Sequence, residues 1–312
     1  MSVPALLVIA MLLDAALGEP KWLWDRVPHP AVLMGRLIGR CDARFNTGQA
    51  RKLKGIAVIA VLVAGALALG HILSSVPDGG ILEVVLVAVL LAQRSLADHV
   101  RDVGDALRLS IGDGRKMVAR IVGRDVSALD NAGVARGAIE SAAENLSDGV
   151  IAPAFWYLLL GLPGILAYKL INTADSMIGY LTPRHEAFGW AAARLDDVVN
   201  WIPARLTALL IAAGHANPGV WRTVKRDANK HRSPNAGWPE AAMAGVLDVA
   251  LSGPRSYEGV LREEPFVNEA GRHDLGSDDV ERAVSALWRA WALALVLVAA
   301  LGLALGALPV FS

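Results

Sequence analysis

The sequence predicts an all-α, polytopic membrane protein with about 4–6 membrane segments and helical polar loops between them. Three observations carry that expectation. Of 312 residues, 54% are hydrophobic and only 19% charged, against roughly 45–50% and about 25% in soluble domains. Mean hydropathy is +0.43. The apolar residues are gathered into runs, which reads as one membrane domain over 1–312 with polar loops. Lys plus Arg and Asp plus Glu balance at 30 each, so bulk charge gives no support for nucleic-acid binding. Cys41 is the only cysteine, which excludes an intramolecular disulfide and a zinc site built on two cysteines.

The elements follow in order. Met1–Leu17 is apolar, carries Asp14 and lacks the basic start of a secretory signal, so it reads as a retained segment. Gly55–Leu73 has no formal charge before His71 and is long enough to cross a bilayer core. Ile81–Ala92, after the turn Pro77-Asp78-Gly79-Gly80, completes a membrane hairpin. Ile151–Ala167 holds Pro153, Gly161, Pro163 and Gly164, and Asn200–Gly214 holds Pro203 and Arg205. Each is either a bent span or a re-entrant segment, because broken backbone at membrane depth survives where protein or water covers it. Ala290–Val310 is a further span.

Most polar motifs fall in residues 18–54, 94–150, 168–199 and 215–287. Gly18–Lys54, Arg94–Val150 and His215–Leu287 are rich in Lys and Arg, which assigns them to the cytoplasmic side of the cell (inner) membrane. If every apolar segment crossed, Tyr168–Val199 would lie outside. A re-entrant pair around it returns it to the side of the basic loops, and that is the expectation here.

Five polar clusters stand out. In Arg136–Gly149, residues Arg136, Glu140, Glu144 and Asp148 recur every four positions and line one helix face. Three stacked carboxylates call for compensation by Mg²⁺, an arginine or solvent. Asn172, Asp175 and Ser176 form a polar stripe on an apolar helix, either a helix–helix seam or a substrate surface. Arg194, Asp196, Asp197, Asn200 and Arg205 combine paired aspartates with arginines suited to phosphate, or form an ion-pair network beside Trp201. Lys225, Lys230, Arg232, Ser233 and Asn235 precede a Pro/Gly-rich turn. They make an anion pocket or simply a basic loop, with Ser233 or Asn235 able to cap the helix near Pro239. His29 sits between Pro28 and Pro30, although a lone histidine is usually structural. There is no G-x-x-x-x-G-K-[ST] loop, so ATP needs an unconventional site, and no H-E-x-x-H.

Taken together, the clusters resemble one family, the adenosylcobinamide-phosphate synthases (CobD/CbiB). The shared pieces are D-x-x-x-G-E-P at Asp14–Pro20, P-H-P at Pro28–Pro30, A-E-N-L-S-D-G at Ala143–Gly149 and N-T-A-D-S-M-I-G-Y at Asn172–Tyr180. Phe188–Leu206 and Ser233–Gly245 continue the series in family order. Glu19 stands where the family often has aspartate. The resemblance implies an ATP- and Mg²⁺-dependent amide ligation. The propionate carboxyl of adenosylcobyric acid, a corrinoid, joins (R)-1-aminopropan-2-ol O-phosphate, or aminopropanol, to give adenosylcobinamide phosphate.

The clusters fit those needs. Glu140, Glu144, Asp148, Asp196 and Asp197 become candidate acid–base groups, the last four of them Mg²⁺ ligands as well. Arg194, Arg205, Lys225, Lys230 and Arg232 become candidate phosphate contacts. His29, Asn145, Asn172, Asp175, Ser176, Asn200, Ser233 and Asn235 become candidate substrate contacts. Expected partners are the two substrates, the lipid bilayer and other late cobalamin-pathway enzymes. A transporter would place its polar residues inside spans rather than in loops, and a non-catalytic scaffold for the pathway is the other alternative. Asp148-Gly149-x-x-Ala152 begins like a CDP-alcohol phosphotransferase signature, but Pro153 replaces its arginine.

Overall fold

The protein's computed structural model describes residues 1–123, 125–257 and 260–307. It is built almost entirely of helix. In chain order these are α1 (Val3–Leu17), α2 (Lys21–Trp24), α3 (Pro30–Phe45), α4 (Arg51–Ser74), α5 (Ile81–Leu90), α6 (Gln93–Leu109), α7 (Ile111–Val118) and α8 (Asn131–Leu146). A π-helical turn, Ser147–Ile151, leads into α9 (Ala152–Ile178), α10 (Trp190–Val199), α11 (Trp201–Gly214), α12 (Val220–Asp227) and α13 (Gly237–Leu247). Four strands of two or three residues follow: β1 (Leu251–Ser252), β2 (Arg255–Tyr257), β3 (Val260–Arg262) and β4 (Phe266–Val267). They pair antiparallel as β1–β4 and β2–β3. α14 (Ser277–Ala307) ends the described chain.

Three stretches are long and apolar enough to cross a membrane: Arg51–Ser74, Asn131–Ile178 and Ser277–Gly306. Val3–Leu17 and Trp201–Gly214 are shorter apolar helices. These bear out an all-α membrane protein. The span expected to Val310 runs past the described residues. The sequence reads as one domain, and the contacts resolve two compact units: 1–92 with 152–200 and 297–312, and 93–151 with 201–296.

In the first unit, α3, α4, α9 and α10 share a core of Ile38, Ile59, Leu170, Ala174, Ile178, Phe188 and Ala192. Local chemistry sets the helix ends. Pro30 opens α3, and His29 Nδ1 accepts the Ala31 N–H as a side-chain N-cap. Both Asp78 carboxylate oxygens accept from the turn into α5, one from Gly80 N–H and one from Leu82 N–H. α5 is shorter than the hairpin limb expected over Ile81–Ala92. Its ten residues reach about 15 Å, half a bilayer core, and His29 Nε2 takes the Val89 carbonyl at 3.2 Å where the helix stops.

α9 folds back on itself. Gly161 has φ 64° and ψ −153°, a conformation that a side chain resists, and Pro163 follows. A Cβ at Gly164 would strike the Trp156 carbonyl eight residues earlier, an approach that a straight helix cannot make. The bend lies against α4, where Gly70 leaves room for Pro163. The other end of the returning limb lies near the start of α4, where Gly55 admits the Phe188 carbonyl. A fold-back of this kind is what the prolines and glycines of Ile151–Ala167 allow.

In the second unit, α8 packs against α6, α7 and α13, and α11 against α13. Asp130 caps α8 through Gly133 N–H, and Ser110 caps α7 through Asp113 N–H. The segment carrying the strands is fastened by side chains. Arg136 donates to the carbonyls of Ala250 and His273, and Asp227 accepts the Asn268 N–H at 2.8 Å.

Candidate active site

In the first unit, α10 lies beside the returning limb of α9. Tyr168 donates to Asn200 Oδ1 at 2.9 Å, and Asn172 Nδ2 to Asp196 Oδ1 at 3.4 Å. This brings Asp175 electrostatically close to both Asp196 and Asp197. Burial pushes Asp196 up to about 7, and the negative charge of Asp175 adds to it against the pull of Asn200 and Asn172. Asp197 is also raised by burial, partly offset by Arg194, which holds it at 3.1 Å. Asn200 is 1% exposed, and its amide nitrogen interacts with Asp196 without completing a hydrogen bond. A Cβ at Gly179 would overlap the Asp175 carboxylate, so the glycine leaves that carboxylate its place. Ser176 is exposed on the same helix.

No three His, Cys, Asp or Glu side chains among the described residues form a ready metal cage. Mg²⁺ rarely needs one, since one or two carboxylates plus substrate phosphates are its usual set. Among the described residues neither Asp175 nor Asp196 has an ion-pair partner. Two neighbouring carboxylates with no ion-pair partner among the described residues, beside a buried amide N–H that completes no bond, fit a Mg²⁺ ion that arrives with phosphate oxygens.

In the second unit, the stripe on α8 meets an arginine. Glu140 Oε2 lies 3.2 Å from Arg255 Nη2, and Glu140 Oε1 accepts the Ser252 N–H at 2.7 Å. The same Arg255 nitrogen donates to Ser252 Oγ at 2.7 Å and approaches Glu240 Oε1 at 3.5 Å, while Ser252 Oγ donates to Glu240 at 2.7 Å. Glu264 lies 3.7 Å from Arg255 Nε, and His231 Nε2 lies 3.7 Å from Glu240. Burial, then the charge of Glu140, raises Glu240 above the usual carboxylate range. Burial, then the positive Arg255 and Arg232, lowers His231 and keeps it neutral. Glu144 and Asn145 are exposed, with Asn145 donating to Ser141. Asp148 is half-buried and stands on the π-helical turn that follows α8.

The remaining candidates are mostly tied into the fold. Both His29 ring nitrogens are engaged by backbone, and the ring stacks edge-on with Trp24 at 4.5 Å. Arg205 lies between Trp201 and Trp238, 4.4 Å from each ring centre, and donates to Trp201 O, Asn235 Oδ1 and Pro234 O. Ser233 Oγ accepts from the N–H groups of Asn235 and Ala236, which shapes the entry to α13. Lys230 binds Asp227 at 2.9 Å and the Phe266 carbonyl at 3.1 Å. Lys225 and Arg232 are exposed.

Sequence reasoning misses Glu240 and Arg255, the centre of the second cluster. Glu240 sits inside the quoted block Ser233–Gly245, so its presence there was the available signal. Its partner Arg255 lies on a two-stranded ribbon that apolar patterning does not reveal.

The family described as CobD/Cbib protein matches residues 7–287. Cobalamin biosynthesis protein CobD of Sinorhizobium fredii is 51% identical over 300 residues, covering 91% of this chain and 92% of that protein. The Rhizobium meliloti protein of the same name is 52% identical over 302 residues, with 91% and 92% covered. That of Rhodobacter capsulatus is 49% identical over 277 residues, with 86% and 88% covered. No solved structure matches the chain. With a family match across most of its length and relatives near one-half identity, the chain belongs to the CobD/CbiB family of cobalamin biosynthesis proteins.

Proposed function

We propose that the protein is the adenosylcobinamide-phosphate synthase of cobalamin biosynthesis, in the cell (inner) membrane with its reactive loops on the cytoplasmic side. It joins the carboxyl of adenosylcobyric acid to the amine of (R)-1-aminopropan-2-ol O-phosphate, or of aminopropanol, at the expense of ATP. The observation that carries this reading, beyond family membership, is the half-buried Asp196 within electrostatic reach of Asp175, neither having an ion-pair partner among the described residues. A free carboxylate is a poor acyl donor, and Mg²⁺–ATP supplies the phosphoryl group that activates it. Asp175, Asp196 and Asp197, on α9 and α10, would hold the metal, and the metal the phosphates. Arg194 already bridges to Asp197, is largely exposed, and has further N–H groups for a phosphate oxygen. Asn172 keeps Asp196 oriented, and Asn200 offers its amide nitrogen to an incoming oxygen.

The test is a defined reaction. Purified protein in detergent receives adenosylcobyric acid, the phosphorylated or free aminopropanol, ATP and Mg²⁺, and the corrinoid is weighed by mass spectrometry. Product is expected only with ATP and Mg²⁺. Asp196→Asn should lower its rate by about 10²-fold or more, the scale of a lost transition-state electrostatic contact, while the protein stays folded. Undiminished turnover in that variant would remove the aspartates from the site. Absence of product, with corrinoid uptake by intact vesicles, would establish the transporter instead. Product formed only after other late-pathway enzymes are added would establish the scaffold.

A further inference from the structure

The start of α4 and the turn from α9 to α10 meet through Arg51 and Lys52, and both carry exposed apolar side chains. Leu181 is 86% exposed, Leu53 67%, Tyr180 57% and Trp190 40%. Three cations accompany them. Lys52 Nζ stands 3.9 Å over the Trp190 ring. Arg51 donates to the carbonyls of Pro183 and Arg184, each at 3.3 Å, and Lys54 to that of Thr47 at 2.8 Å. Among the described residues none of the three has a carboxylate partner. The nearby Asp42 is taken by Arg184, at 2.6 Å.

We propose that this patch lies in the headgroup layer of the bilayer and binds anionic phospholipid there, holding the α9–α10 turn against the membrane surface. Continuity decides the partner. The patch begins at the charged end of α4, a stretch fit to cross a membrane of which only 11% is buried within the protein. Aromatic rings and basic side chains gather where a span meets the headgroups, with rings at the boundary and ammonium groups reaching the phosphates. The charge is complementary to an anionic leaflet. A second copy of the chain suits the patch poorly, because a two-fold contact would bring Arg51, Lys52 and Lys54 against their own copies. The inference rests on α4 crossing the membrane and not on the reaction catalysed.

Nitroxide labels at single cysteines, in full-length Cys41→Ser protein held in lipid nanodiscs, test it. Leu181→Cys and Leu53→Cys report the patch, Val61→Cys the lipid-facing middle of α4, and Glu186→Cys the aqueous side. Accessibility to a water-soluble nickel chelate at positions 181 and 53 should be at least about threefold below that at 186. Accessibility to oxygen there should fall between the values at 61 and 186. Making about one-third of the lipid anionic should lower nickel access at 181 by about a further twofold. Lys52→Gln with Lys54→Gln should abolish that lipid dependence. Nickel access at 181 equal to that at 186 would place the patch in water and overturn the proposal. Shielding from both reagents would mean that protein covers it, and indifference to lipid charge would remove the anionic headgroup; either overturns it as well. If position 61 is not lipid-exposed, the span itself fails, and the proposal with it, leaving the ligase reading untouched.

Discussion

At the scale of single residues, the second unit turns on Arg255. It faces Glu140, Glu240 and Glu264 from a position 9% exposed, so Glu140 of the acidic stripe on α8 is compensated by a protein cation. Removing one partner of such a group leaves uncompensated buried charge, which costs about 3–5 kcal/mol. Arg255→Met should therefore lower the unfolding midpoint in detergent by that order. Adding Glu140→Gln should restore part of the loss, with a coupling readable from the double-mutant cycle. An unchanged midpoint in the single variant would show that the arginine is dispensable. The need for a compensating charge at Glu140 was legible from residue spacing alone. Which charge supplies it was not, because Arg255 lies 115 positions along the chain from Glu140 and periodicity reports only neighbours on one helix.

At the scale of elements, the segment bearing the four strands is held to α12 by Asp227. Burial alone would raise this carboxyl, but hydrogen bonds from Arg226, Lys230 and the Asn268 N–H outweigh it and hold it at about 2. The folded value lies below the ordinary 3.8, so its contribution is complete above that value and is lost as pH falls toward about 2. Asp227→Asn should cost about 1–2 kcal/mol at neutral pH, a figure discounted for the exposed Arg226. It should also flatten the acid limb of stability below about pH 4. Hydrogen exchange at the Asn268 amide should rise with it; protection like that of the unaltered protein would contradict the tie. Elements differed in how openly the sequence announced them. α4 and the part of α14 beyond Arg289 followed from uncharged length, and the break in α9 from Gly161 and Pro163; the charged first part of α14 lay in what reads as a loop. α5 ended early where a histidine sixty residues away captures its carbonyl, and the π-helical turn before α9 has no compositional mark.

At the scale of the molecule, the first unit settles which end of α4 the α9–α10 turn accompanies. Asn46 donates to Asp42 and to the Arg184 carbonyl, so the residues around Asn46 and Arg184 lie together at the start of α4. In a Cys41→Ser background, Asn46→Cys and Glu186→Cys should be labelled from the same face of the membrane. Lys116→Cys and Lys230→Cys, in the other basic loops, should share that face, which the positive-inside rule makes cytoplasmic. Reaction of Asn46→Cys and Glu186→Cys with impermeant reagent on opposite faces would break this topology. The turn at Gly161 also bears on how such a protein is mapped during its own synthesis. A chain cut there lacks the limb after it, which packs along α4. A reporter enzyme fused just beyond residue 160 would be carried by half a hairpin, and its location would describe the truncated chain. Only tags inserted into the complete polypeptide can read the path that the finished protein takes.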